Sequence, residues 1–275
     1  MKSSPEAPEQ APIETGPNYE MGTNVTIRID LLRHPEKEYN GGHLTEDGKK
    51  ALTAKLNAEF QDGEFDTVKC YASPLMRGQE SMAPIQEFLD EHGIKTITRT
   101  KTELAGRATE MGKGLKDALG PLLAAEDAKY VEVPDDNPER AAYEPANKDF
   151  ETRANHLLLR DFFDKNYPDS PIGGREVGQE VDSLIQHIAE MAAKMNSGSK
   201  VKFVLISHSG VVEYLTKLLY LQNHSDLKPE EVTADMIGGL MNYMEGPQIS
   251  ITSDEAGKQK AVLRLKDMIL DYELK

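Results

Sequence analysis

Segments with strand patterns alternate with segments with helix patterns along most of this sequence, and that alternation restricts the possible folds more than any other feature. The strands are predicted at 25–32, 67–72, 95–100, 201–207, 248–252 and 261–265. Helices are predicted at 46–60, from Ser73-Pro74 to about 92, and at 211–220. Thr45 is the predicted N-cap of the first helix, and Ser73 that of the second, with Pro74 at its first position. Such alternation predicts an α/β protein, a three-layer αβα sandwich with a mostly parallel central sheet. The segment at 201–207 is the most apolar of these strands, which predicts an interior strand, and the last two strands read as a hairpin.

The chain of 275 residues divides unevenly. Residues 1–23 are rich in Pro, Glu, Ser and Gly, which predicts a flexible N-terminal tail before a domain at 24–275. A segment at about 113–199 carries helical patterns near 114–126, 150–166 and 174–195. We interpret it as a helical insertion between two strands of the sheet.

Composition excludes several classes of protein. The net charge of -15 argues against nucleic acid and anionic membrane as partners. A single cysteine, Cys70, excludes an internal disulfide framework and disfavours a zinc site built from several cysteines. Charges or glycines interrupt every hydrophobic run, and no apolar core follows Lys2, so neither a membrane span nor a signal peptide is predicted. A cytoplasmic location is the expectation.

Side chains with complementary chemistry follow four predicted strands. They are Arg33 and His34 after the first strand, Arg77 after the second, Glu103 after the third, and His208 after the fourth. Ligands of open α/β sheets bind beyond the carboxyl ends of the strands. We therefore expect these groups to meet at one edge of the sheet.

The residue types favour phosphoryl transfer. Two guanidinium groups suit a phosphate dianion, and a neutral imidazole can attack phosphorus. A second, protonated histidine can hold the equatorial oxygens, and a carboxylic acid can protonate the leaving alcohol. Because these cations can replace Mg²⁺, the sequence predicts a reaction without a metal or other cofactor.

Four motifs in this order resemble the histidine phosphatase superfamily, in its phosphoglycerate mutase-like branch. They are Arg33-His34-Pro35-Glu36 with Asn40, Leu44-Thr45-Glu46-Asp47-Gly48, Ser73-Pro74-Leu75-Met76-Arg77, and Ser207-His208-Ser209-Gly210. The match covers roughly residues 25–112 and 200–270. The resemblance implies that His34 becomes phosphohistidine and that Arg33, Arg77 and His208 form the phosphate pocket. It also implies that the 113–199 insertion caps the active site.

Departures from the family pattern leave some assignments open. Pro35 replaces the usual glycine, so the loop after His34 lacks one N–H group. Glu103 and Glu110 have the family's spacing of two glutamates, and we favour Glu103 as the acid with Glu110 as the alternative. Asn40 is either a substrate contact or a loop residue. Ser209 stands where the phytase-like branch has a catalytic aspartate, which argues against that branch.

The favoured function is hydrolysis of a phosphate monoester, from a small phosphorylated compound or a phosphoprotein. A phosphoglycerate mutase-like phosphoryl transfer and a non-catalytic module that binds phosphorylated ligands are the alternatives. A mutase would need a basic cluster in the insertion. Acidic residues accompany the arginines there, and this composition favours the phosphatase.

Overall fold

A computed structural model of the protein describes residues 21–37, 43–60, 64–105, 159, 163 and 173–275. Within these residues a single sheet of seven strands forms the centre of the fold. The strands are β1 (Thr26–Arg33), β2 (Thr67–Ala72), β3 (Thr96–Thr100), β4 (Lys200–Ser207), β5 (Gln248–Ser253), β6 (Gln259–Leu265) and β7 (Met268–Tyr272).

The sheet has a parallel half and an antiparallel half. Its strand order is β3-β2-β4-β1-β5-β6-β7. Strands β3, β2, β4 and β1 pair in parallel, whereas β5, β6 and β7 are joined to β1 and to each other by antiparallel pairing. The carboxyl ends of β1, β2 and β4 therefore lie side by side at one edge.

Helices cover the sheet on two faces. The described helices are α1 (Glu46–Glu59), α2 (Met76–Glu80), α3 (Met82–Glu91), α4 (Gly174–Ala192) and α5 (Val211–Asn223). Alternation along β4 separates the two faces, because Phe203 and Leu205 pack in a cluster with α4 and α5. Val204 and Ile206 pack in a second cluster with α1 and α3. The predicted fold class is thereby confirmed as three layers around a sheet that is parallel in its core.

The boundaries of most elements match the prediction closely, and three differences are informative. The helix predicted from Ser73-Pro74 to residue 92 begins only at Met76 and is divided into α2 and α3. Pro84 has no N–H to donate to the Glu80 carbonyl, and Ser81 Oγ donates to the Arg77 carbonyl at 2.7 Å. The helix is therefore interrupted at Ser81, between α2 and α3. Strand β7 was not predicted at all.

The ends of the insertion and of the predicted tail can be placed only in part. Residues 1–20 and most of 106–172 lie outside the described residues. Met21 pairs with Asn196, and Gly22 N–H donates to the Met195 carbonyl at 2.8 Å, so ordered contacts begin a few residues before β1. Across the described residues, no helix is long and apolar enough to cross a membrane.

Candidate active site

The edge where β1, β2 and β4 end brings together residues from separate parts of the sequence. His34 N–H donates to the Ser207 carbonyl at 2.9 Å, and Ser73 N–H donates to the Ile206 carbonyl at 3.0 Å. These bonds extend the ladder by one residue on each side of β4. Pro35 has no N–H to continue it, so the chain leaves the sheet directly after His34. The rings of His34 and His208 consequently lie with their centroids 5.1 Å apart.

His34 is buried and held in one tautomer. Its Nδ1 lies 2.6 Å from the carbonyl oxygen of Pro35. Because a carbonyl can only accept, Nδ1 carries the proton and Nε2 keeps its lone pair. Burial first, and then the positive charges of Arg77 and Arg33, lower the pKa of His34 from 6.5 to about 3, although the hydrogen bond to Pro35 opposes this shift. The imidazole is therefore neutral and nucleophilic near pH 7.

Pro35, which replaces the glycine of the family pattern, thus supplies the carbonyl that fixes the tautomer of His34. The loop that follows it is fastened to the start of α1, where Thr45 N–H donates to the Glu36 carbonyl at 3.0 Å. Gly48 is required for this contact, since a Cβ at that position would lie 2.4 Å from the Glu36 oxygen. Thr45 is the N-cap of α1, as predicted, and its Oγ1 accepts a bond from Gly48 N–H at 2.9 Å. The second motif therefore supports the loop that carries His34.

His208 is buried between two partners that fix its tautomer as well. Arg77 Nε donates to its Nδ1 at 3.0 Å, so Nε2 carries the proton and donates to Ser73 Oγ at 2.6 Å. Burial, and then the charge of Arg77, lowers the pKa of His208 from 6.5 to about 2. His208 is therefore neutral near pH 7, whereas the sequence interpretation expected a protonated ring. To bind a phosphate oxygen, its Nε2–H group must exchange Ser73 Oγ for that oxygen.

Arg33 is held by a segment that the sequence interpretation did not assign to the site. Its Nη1 donates to the Met241 carbonyl at 2.8 Å, and its guanidinium lies 4.3 Å from the ring centre of Tyr243. The Tyr243 ring is also 5.8 Å from that of His34. Residues 241–243 therefore form one wall of the cluster, and Arg33 and Arg77 give the cluster two permanent positive charges.

Glu103 lies in a short 3₁₀ helix, Thr102–Ala105, that follows β3. The next residue anchors this turn to the site, because the Leu104 carbonyl accepts a bond from Ser207 Oγ at 2.8 Å. Glu103 is half-buried, and its Oε2 lies 3.4 Å from Thr102 Oγ1. The turn is thus brought to the end of β4, next to His208. Asn40 and the alternative acid Glu110 lie outside the described residues.

Four residues join the cluster without having been assigned to it from the sequence: Ser73, Glu213, Met241 and Tyr243. Ser73 stands inside a quoted motif, but its expected role was to cap a helix. Its Oγ does accept from Leu75 N–H at 3.1 Å, yet α2 begins at Met76, and the same oxygen contacts His208. Glu213 offered a weak signal, as an acidic residue in an otherwise largely apolar helix. Met241 and Tyr243 offered none, because their contacts with Arg33 span more than 200 residues.

A metal centre was not expected from the residue types in this cluster. Within the ranges that the structure describes, no three or more His, Cys, Asp or Glu side chains are grouped so that they could hold a metal ion. The positive charge described at this edge comes from the side chains themselves, Arg33 and Arg77.

No family model matches the chain, and no curated protein matches it. Among solved structures it is similar to a mycobacterial glucosyl-3-phosphoglycerate phosphatase in complex with inorganic phosphate, at 14% identity and a TM-score of 0.46, covering 88% of this chain and 97% of that chain. It is also similar to a protein histidine phosphatase complexed with tungstate, at 11% identity and a TM-score of 0.37, covering 90% and 96%. A third is a phosphoglycerate mutase from Plasmodium falciparum, at 13% identity and a TM-score of 0.36, covering 90% and 97%.

These three neighbours are members of the histidine phosphatase superfamily, the family that the four motifs resemble. All three TM-scores lie below 0.5. The chain's own strand order defines its fold, and its own side-chain contacts define the candidate site.

Proposed function

We propose that the protein hydrolyses phosphate monoesters through a phosphohistidine formed on His34. The observation that carries this proposal is the hydrogen bond from His34 Nδ1 to the Pro35 carbonyl, which leaves the Nε2 lone pair of a neutral ring available for attack. This nitrogen belongs to a cluster in which Arg33, Arg77 and His208 supply donors and positive charge. A phosphate dianion is the ligand that such a cluster suits best.

The proposed reaction has two balanced steps. His34 Nε2 attacks phosphorus as the bond to the ester oxygen breaks, and that oxygen takes a proton from a carboxylic acid. Water then attacks the phosphohistidine, the N–P bond breaks, and the carboxylate takes the proton of the water. Inorganic phosphate leaves, and the neutral imidazole and the protonated acid are restored.

The charge that spreads over the phosphoryl oxygens is stabilised by side chains in this proposal. Arg33 and Arg77 supply permanent positive charge, and the Nε2–H of His208 becomes a further donor when it exchanges Ser73 Oγ for a phosphoryl oxygen. When the phosphate dianion binds, its negative charge favours protonation of His208 at Nδ1, and Arg77 Nε must then leave that nitrogen because both atoms would be donors. Phosphate binding therefore raises the pKa of His208 from its low value, in the direction that the proposed role requires.

Glu103 is the proposed acid, with Glu110 as the alternative. The bond between Ser207 Oγ and the Leu104 carbonyl supports this assignment, because it fastens the turn that carries Glu103 beside His208. The proposed substrates are small phosphorylated compounds or phosphoproteins. The parts of the insertion that would distinguish among them lie outside the described residues.

The test is phosphate release from 4-nitrophenyl phosphate by the purified full-length protein, with and without excess EDTA. We expect a rate of hydrolysis that changes by less than about twofold when EDTA is added. We also expect a rapid-quench label on His34 that is stable to base and labile to acid. Binding of phosphate without release would replace the proposal with a phosphate-binding module. A loss of activity in EDTA that one divalent ion restores would contradict the metal-free mechanism.

A further inference from the structure

Glu213 is a buried acidic residue close to the proposed phosphate pocket. It is the third residue of α5 and only 1% exposed. A carboxylate removed from water is costly unless hydrogen bonds compensate it, so the partners of Glu213 show what it stabilises. Burial raises the pKa of Glu213, while bonds from backbone N–H groups and the nearby charge of Arg33 oppose that rise.

The two carboxylate oxygens of Glu213 serve two different segments of the chain. Oε2 accepts from Gly210 N–H at 2.7 Å, and Oε1 accepts from Met241 N–H at 3.0 Å. The first bond is an ordinary helix cap, in which an acidic third residue satisfies the N–H before the helix. The second bond reaches a residue 28 positions away, and capping does not require it.

Each of these segments holds one cation or donor of the pocket. Gly210 lies two residues after His208 and has a φ of 87°, so the chain turns sharply between the histidine and α5. Met241 directs its carbonyl at Arg33 Nη1, at 2.8 Å. One carboxylate therefore connects the backbone behind His208 to the backbone that holds Arg33.

We propose that Glu213 is a positioning residue, which sets the placement of Arg33 relative to His208 around the bound phosphoryl group. The inference rests on the proposed phosphatase function. Glu213 does not touch the reacting atoms in this proposal and acts through the two segments that it connects. A shift of about 1 Å in such a cluster can reduce turnover by about 10²-fold.

The variant Glu213→Gln tests the connection. Its side chain keeps nearly the same volume but has one oxygen, so its NH₂ group must face either Gly210 N–H or Met241 N–H. We expect kcat/KM for 4-nitrophenyl phosphate to fall by about 10²-fold. The matched control is Glu176→Gln, because Glu176 is also the third residue of its helix and its Oε2 accepts from Gly173 N–H at 2.9 Å. The control keeps an oxygen for its single cap bond, so it should keep its activity and lose less thermal stability than Glu213→Gln.

A double-variant cycle with Arg33→Ala separates positioning from a general loss of structure. If Glu213 acts through Arg33, Glu213→Gln should reduce kcat/KM much less in the Arg33→Ala protein than in the wild type. Equal fold-losses in both backgrounds would overturn the inference. Should Glu213→Gln fail to fold, Glu213→Asp replaces it, since aspartate can still cap α5 but is one methylene too short to reach Met241 as well.

The outcomes distinguish this inference from the function on which it rests. An inactive wild-type protein that forms no phosphohistidine would overturn the proposed function together with the inference. If the wild type is active, a 1 Å shift predicts that Glu213→Gln loses about 10²-fold in kcat/KM. A loss of less than about threefold would overturn the positioning role alone.

Discussion

The two halves of the sheet differ in how they are covered and in what their ends carry. Strands β2 and β4 of the parallel half contribute to the hydrophobic clusters on both faces, and β4 is buried without interruption from Val201 to Ser207. The described strands β5, β6 and β7 contribute only to the cluster on the side of α4 and α5, and their burial alternates along the strand. Parallel sheets are usually covered on both faces, whereas antiparallel ones can face water.

The comparison shows why the candidate site lies at this edge of the sheet. Three neighbouring parallel strands end at one edge, so Arg33-His34, Ser73 and His208 meet there although they are far apart in the sequence. In the antiparallel half, successive strands end at opposite edges and cannot concentrate functional groups in this way. We therefore expect substitutions at the carboxyl ends of the parallel strands to reduce activity and those in β5–β7 to affect stability alone.

The largest effect is expected from His34→Ala. Removal of the proposed nucleophile should lower kcat by at least about 10³-fold. The matching change in the antiparallel half is Arg264→Ala, which removes an exposed side chain from β6 and should leave kcat within about twofold, as surface substitutions usually do. Steady-state rates and thermal unfolding of both variants would test the contrast. A folded His34→Ala protein with near wild-type turnover would rule out the phosphohistidine mechanism.

Glu103→Gln should have the next largest effect, and it should depend on the substrate. Alkoxide is a poor leaving group and needs a proton, whereas 4-nitrophenolate leaves without one. The variant should therefore lose about 10²-fold or more on an alkyl phosphate and much less on 4-nitrophenyl phosphate. Equal, small losses would show Glu103 to be a structural residue of the 3₁₀ turn. A leaving-group dependence in Glu110→Gln instead would transfer the role to Glu110.

Much of the parallel half could be predicted because its signals are local. The most apolar of the strand patterns identified β4, and the pattern at 67–72 gave both ends of β2 correctly. In the antiparallel half, the last strand, β7, was harder to predict from the sequence. The turn before β7 places Lys266 at a φ of 51°, a conformation usually signalled by glycine or asparagine, so the sequence contained no recognisable hairpin turn there.

The site could be predicted where a side chain directly follows a strand, and not where contacts are remote. Arg33 ends β1, and His34 and His208 directly follow β1 and β4. The topology alone brings the three together. Met241 joins the site through a carbonyl, which any residue type would supply, so no residue pattern indicates it. Ser73 was read as a helix cap because its contact with His208, 135 residues away, leaves no trace in the local sequence.

Ser73→Ala should have a smaller effect on turnover, about tenfold, because His208 would keep Arg77 but lose the acceptor of its Nε2–H. Ser253 in β5 offers a matched control, since its Oγ is also buried and accepts from Val25 N–H at 2.9 Å. Both alanine variants should lose about 1 kcal/mol of stability. Only Ser73→Ala should lose activity; a parallel loss in Ser253→Ala would show that the rate follows stability.

The last difference between the two halves of the sheet is how they affect the stability of the protein at low pH. The unfolded chain protonates His34 below about pH 6.5, but the folded protein does so only near its pKa of about 3, so the unfolded state binds more protons in between. Stability attributable to His34 is therefore lost as the pH falls through this window, by about 1.4 kcal/mol per pH unit.

His34→Asn should remove this loss while its amide can still donate to the Pro35 carbonyl. Between pH 7 and pH 5, the free energy of unfolding of the wild type should fall by about 2 kcal/mol more than that of His34→Asn. Strands β5–β7 contain no histidine, so Arg264→Ala should follow the wild-type pH profile. Urea unfolding at pH 5, 6 and 7 would measure these differences. Parallel pH profiles for wild type and His34→Asn would show that His34 is not held neutral in the folded protein, which would remove the electrostatic basis of its nucleophilicity.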